Sequence, residues 1–111
     1  MKHPIVIRPA EHAVYAPTKM GKSTLFESPR LLAGLNAFEA GQEHALHAHP
    51  GQDKVYLVAE GSGVFLLVDR ELPRTAGDLL IAPEGVPHGV RNPGPGRLLV
   101  VAVLAPAPAK G

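Results

Sequence analysis

An all-β sandwich or barrel with little or no helix is the fold this sequence predicts, on three observations. Twelve glycines and twelve prolines in 111 residues leave little room for long helices. Short apolar runs alternate with turn signals, the pattern of many short strands. The chain lacks the alternating β/α pattern that would argue for a parallel sheet.

Strands are expected at residues 4–8, 14–16, 23–27, 30–39, 42–49, 54–60, 63–68, 71–74, 79–82, 89–92 and 97–104. Turn chemistry separates them, as at Ala40-Gly41, Pro50-Gly51, Glu60 to Gly63, Ala76 to Asp78, Pro83 to Pro87 and Asn92 to Gly96. Residues 63–68 and 98–104 are apolar at successive positions instead of alternating. Both of their faces must therefore be covered, inside a sandwich or at a subunit contact. The tail, residues 105–111, is expected to be extended and loose. There is no internal repeat.

Length makes the chain one domain, residues 1–111, with a single core. A formal charge of +1 provides no basic field for nucleic acid or anionic lipid. Cysteine is absent, so there is neither a disulfide frame nor thiolate chemistry. The N-terminus is too short and too interrupted by proline for a signal peptide, and no apolar run approaches membrane-spanning length. The expectation is a soluble cytoplasmic protein with no membrane partner. Only four residues are Asn or Gln, a bias that fits a heat-adapted source and also a skewed genome composition.

His47-Ala48-His49 carries the first chemical signal. In a strand, residues i and i+2 share a face, about 7 Å apart along the backbone, so two imidazoles there can converge on one ion. A histidine pair alone is weak, because half-buried histidines often serve only as hydrogen-bonding core residues. The setting strengthens it. One segment reads Gly41-x5-His47-x-His49-x4-Lys54-x6-Gly61, and a second reads Gly77-x5-Pro83-x-Gly85-x2-His88-x3-Asn92. The glycines sit where tight reversals need φ > 0, and Pro83 and Pro87 stiffen the approach to His88.

These two segments resemble the paired motifs of the cupin superfamily, in the manner of a small single-domain bacterial cupin. The resemblance covers residues 41–92, about half the chain. It implies a double-stranded β-helix, or jelly-roll barrel, with a metal site at His47, His49 and His88. Neutral imidazoles suit Zn, Mn, Fe, Co, Ni or Cu, and three of them leave a coordination position open. The departure is Lys54, where the resemblance calls for a ligating Glu. An ammonium about 4.5 Å from a dication is repelled by several kcal/mol at an effective dielectric near 20. Lys54 therefore swings to solvent, leaves the metal weak or absent, or pairs with an anionic ligand. Asp53 is a candidate fourth ligand, and Gln52 is another as a neutral oxygen donor.

Lys54, Tyr56 and Asn92 are candidate pocket residues. Tyr56 is expected to face the interior, as core or pocket lining. Asn92 shares a face with His88 in an unbroken strand, with a structural hydrogen bond as its favoured role. His44 is expected on the opposite strand face from His47, as an exposed histidine, and His3 and His12 on the surface. Glu43, Asp53 and Tyr56 are the only candidates for a general base. Residues 16–23 fit a relaxed phosphate-loop pattern, but that motif needs a following helix, and Pro29 interrupts the next segment.

The expected function is that of a metal-dependent enzyme, of dioxygenase or of isomerase or lyase type, acting on a small acidic organic molecule. The alternative is a non-catalytic metabolite- or sugar-binding module, including an accessory protein of antibiotic or polyketide synthesis, a role implied by the resemblance alone. The partners expected are a small anionic ligand and a second copy of the chain, with residues 1–30 as the dimer arm.

Overall fold

A computed structural model describes residues 3–109. Nine strands form two antiparallel sheets: β1 (Gly21–Ser28), β2 (Leu31–Phe38), β3 (Glu43–His47), β4 (Asp53–Glu60), β5 (Ser62–Leu66), β6 (Glu71–Thr75), β7 (Leu79–Ala82), β8 (His88–Arg91) and β9 (Leu98–Ala105). The five-stranded sheet runs β1-β2-β9-β4-β7 and the four-stranded sheet β3-β8-β5-β6. The one helical element among the described residues is a single 3-10 turn, Pro9–His12. No described helix is long and apolar enough to cross a membrane.

Period-two alternation places Lys54, Tyr56 and Val58 on the inner face of β4, where all three are buried. Tyr56, Phe38, Phe65 and Leu98 anchor the core between the sheets. The successive apolar residues of β9 have a direct explanation. Its even-numbered residues Leu98 and Val100 face that core, whereas Leu99 packs outward against Leu35 and Ala37. Ala13 and Tyr15 of the N-terminal segment cover this outer cluster, so both faces of β9 are covered within one chain.

Two expected strands do not form. Residues 4–8 and 14–16 have no ladder partner among the described residues. Residues 13–15 instead lie over the sheet without pairing: Ala13 and Tyr15 pack on its outer cluster, and a Cβ on Gly21 would meet the backbone oxygen of Val14. Met1 and Lys2 of the expected dimer arm, and Lys110 and Gly111 of the expected tail, lie outside the described residues. The phosphate-loop look-alike runs directly into strand β1, which rules out the required helix.

The motif glycines adopt the expected backbone. Gly41, Gly61, Gly77 and Gly85 have φ of 87°, 83°, 97° and 76°. Gly61 is also pressed against its neighbour: a Cβ there would collide with the backbone oxygen of Arg97. This close approach locks the β4–β5 turn against the start of β9.

Candidate metal centre

The site forms where β3 and the start of β8 face the inner surface of the larger sheet. His47 and His88 are direct partners in the β3–β8 ladder, with ring centroids 4.4 Å apart. His49, just beyond β3, brings its ring to 4.8 Å from that of His47 and 5.6 Å from that of His88. One nitrogen from each of the three lies within 4.8 Å of the others. The structure thus brings together the three histidines that the spacing singled out.

Their orientation is fixed from behind. Nδ1–H of His47 donates to the Ala45 carbonyl at 2.6 Å, and Nδ1–H of His88 donates to the Val86 carbonyl at 2.9 Å. Each bond leaves Nε2 as a lone pair, and both Nε2 atoms are buried with no partner among the described residues. A backbone carbonyl on the far nitrogen is the arrangement that fixes tautomer and ring direction in metal-binding histidines. The donor set therefore fits a divalent transition metal. Burial lowers the pKa of both groups, which keeps them neutral and available as ligands.

Lys54 points inward. It is 3% exposed, so the option of swinging to solvent is not the one taken. Its Nζ lies 3.4 Å from Nε2 of His49 and 4.5 Å from the centre of the Tyr56 ring. Burial, with Lys22 as a secondary cause, pulls its pKa down to about 8. Burial and the Lys54 charge together bring His49 down to about 4.

His44 is a correction. It is half-buried, not on the exposed face: its ring stacks on His47 at 4.0 Å and its Nδ1 lies 3.1 Å from Tyr56 Oη. The cause is a bulge. The β3–β8 register shifts between His44 and His47, so Ala45 and Leu46 both face outward. Gly89 makes this fit, because a Cβ there would meet the His44 oxygen at 2.6 Å. Burial, then the neighbouring His47 and Lys54, lowers the His44 pKa to about 3.

Three other candidates are not brought to the cluster. Asp53 alternates with Lys54 and faces outward, where its Oδ1 accepts the Glu84 backbone N–H at 2.9 Å. Gln52 precedes the strand and donates to the Pro106 carbonyl at 3.2 Å. Asn92 is buried, but β8 ends at Arg91, and the amide is spent on backbone: it donates to Phe38 and Gly96 carbonyls and accepts from Gly94 N–H. It braces the β8–β9 loop and lines no pocket among those described. Glu43 is exposed at the start of β3. Tyr56 is fully buried, and burial raises its pKa.

Beside the imidazoles lies a hollow of about 230 Å³, lined by Lys22, Asn36, His44, His49 and Lys54, with Gly34 and Ala102 among its small residues. Sequence reading missed Asn36 and Lys22. The signal for Asn36 was available: it is the one polar side chain in the β2 run Leu-Leu-Ala-Gly-Leu-Asn-Ala-Phe.

Comparison with known proteins bears on this geometry. The sequence model of the Cupin domain family matches residues 34–103. An oxalate-binding protein of Thermotoga maritima is 29% identical over 85 residues, covering 77% of this chain and 69% of that protein. A crystal structure from Thermus thermophilus superposes with a TM-score of 0.87 at 39% identity, over 93% of this chain and 98% of the other. An uncharacterised protein with a double-stranded β-helix domain from Klebsiella pneumoniae gives a TM-score of 0.88 at 26% identity, over 97% and 95% of the two chains.

Proposed function

The chain belongs to the cupin family, and on that scaffold we propose that His47, His49 and His88 hold one divalent transition-metal ion beside a pocket for a small acidic organic molecule. The observation that carries this reading is the pair of buried, unpartnered Nε2 atoms of His47 and His88. An unsatisfied buried acceptor costs about 1–3 kcal/mol, and two of them aimed into one cluster call for a shared occupant. An ion held there supplies a Lewis acid toward a carboxylate or carbonyl oxygen, with coordination positions left open by the three-histidine set.

The chain's own residues fit an acid. Lys54 supplies a buried positive charge next to His49, and Lys22 adds another at the pocket. Tyr56 holds His44, whose ring in turn backs that of His47. The similarity to a protein named for oxalate binding supports a small anionic ligand. On this reading the protein is a metal-dependent enzyme of dioxygenase or of isomerase or lyase type.

A specific observation favours a second reading, a non-catalytic metabolite binder. The described pocket lining contains no carboxylate to move a proton, and the Tyr56 hydroxyl is already engaged by His44. Titration of metal-free protein with Co2+, followed by visible absorption, tests the metal centre: one equivalent is expected for the wild type and none for His88→Ala. Incubating the loaded protein with small carboxylic acids separates the two readings. Consumption of an acid supports the enzyme, and retention without consumption supports the binder.

A further inference from the structure

The hollow beside the imidazoles holds positive charge without a counter-charge. Its lining includes Lys22 and Lys54 and no Asp or Glu among the described residues. Lys54 is the buried one, and among the described residues its ammonium finds only an imidazole nitrogen and an aromatic face. A buried cation is costly unless it is paired, and no carboxylate pairs this one among the described residues. A second observation points the same way. Asn36 is 5% exposed, lines the same hollow, and its amide makes no hydrogen bond among the described residues.

The partner that Lys54 does have is informative. Its ammonium donates to Nε2 of His49, a ring of the same three-histidine cluster. An ion held by the three histidines would set a dication near this ammonium, and on Nε2 of His49 it would also take the acceptor of Lys54. A carboxylate placed between them reverses both effects, since it accepts from Lys54 and gives the ion a negative oxygen.

We propose that a small carboxylate anion, held on Lys54, closes the metal site of this chain, so that ion and anion bind cooperatively. The inference rests on the metal-centre reading above. Lys54 acts as a positioning residue that makes the anion a cooperative partner of the ion, where a carboxylate side chain would have supplied that negative charge itself. Asn36 and Lys22 offer polar contacts for the rest of the ligand. A hollow of about 230 Å³ holds the volume of about eight waters, so the ligand is a compact mono- or dicarboxylate. Reciprocity requires the ion to strengthen anion binding by the same factor as the anion strengthens ion binding.

The test is the Zn2+ affinity of metal-free protein, with free zinc fixed by a metal buffer, in the absence and presence of millimolar malonate. The wild type is expected to bind zinc at least about tenfold more tightly with malonate. Lys54→Met and Lys54→Gln, two neutral replacements, are expected to lose that gain. Equal zinc affinity with and without malonate in the wild type overturns the proposal, as does an undiminished gain in the two variants. Failure to take up zinc under either condition is a different result: it removes the metal centre itself and this inference with it.

Discussion

Tyr56 Oη lies 3.1 Å from Nδ1 of His44, a hydrogen bond that joins β4 of one sheet to β3 of the other beside the imidazole cluster. Tyr56→Phe leaves the ring in place and removes only this link. The His44 nitrogen then loses its partner in a half-buried position, at a cost of about 1–3 kcal/mol. A lower midpoint in urea unfolding is expected, and an unchanged midpoint would contradict the structural role given to the pair.

The histidine cluster makes the metal-free protein sensitive to mild acid. His44 and His49 have folded pKa values of about 3 and about 4, below the ordinary 6.5, mainly because burial disfavours the imidazolium. Below pH 6.5 the unfolded chain takes up protons that the folded chain refuses, so stability rises with pH in this window. The contribution is fully present above about pH 6.5 and is lost as pH falls toward the folded values. Thermal unfolding of metal-free protein at pH 7.5, 6 and 5 is expected to give falling melting temperatures. A flat profile would show that the rings are not held neutral by burial.

Lys54→Glu supplies the carboxylate that the motif resemblance implies at this position. Because the side chain at position 54 faces the cluster and lies beside His49, the exchange replaces repulsion by attraction at the ion. Metal affinity is expected to rise by more than about tenfold, equivalent to 1.4 kcal/mol. Unchanged affinity would mean that position 54 does not face the bound ion.

The outer face of β4 and β7 is apolar and open. Leu57 opposes Leu79 in the ladder, next to Val55 opposite Ile81, and Leu57, Leu79 and Ile81 are all exposed. A homodimer that covers this face is expected to dissociate on Ile81→Glu, as read by sedimentation velocity. Deletion of residues 1–8, which carry the exposed Ile5 and Val6, is also expected to weaken it. A dimer untouched by both changes would place the contact elsewhere.

The parts of this architecture legible in the sequence are those fixed by local rules. Gly41, Gly61, Gly77 and Gly85 mark turns because only glycine takes their positive φ cheaply. Period two on β4 orders Lys54 and Tyr56 inward and Asp53 outward, so alternation alone argues against Asp53 as a ligand. His44 escapes the alternation because a bulge breaks it, and the residue that permits the bulge, Gly89, lies on the partner strand rather than next to it. Residues 4–8 and 14–16 have strand-like composition, but strand formation depends on a free ladder partner, which composition does not encode. Asn92 shares a face with His88 only if the strand continues, and β8 stops one residue short of it.

Elemental analysis of the native protein, repeated on His49→Ala, tests the metal centre most directly. The wild type is expected to carry close to one transition-metal ion per chain and the variant almost none, with both chains folded by circular dichroism. A wild-type protein that holds no such metal and takes none up on titration would contradict the assignment of His47, His49 and His88 as a shared site.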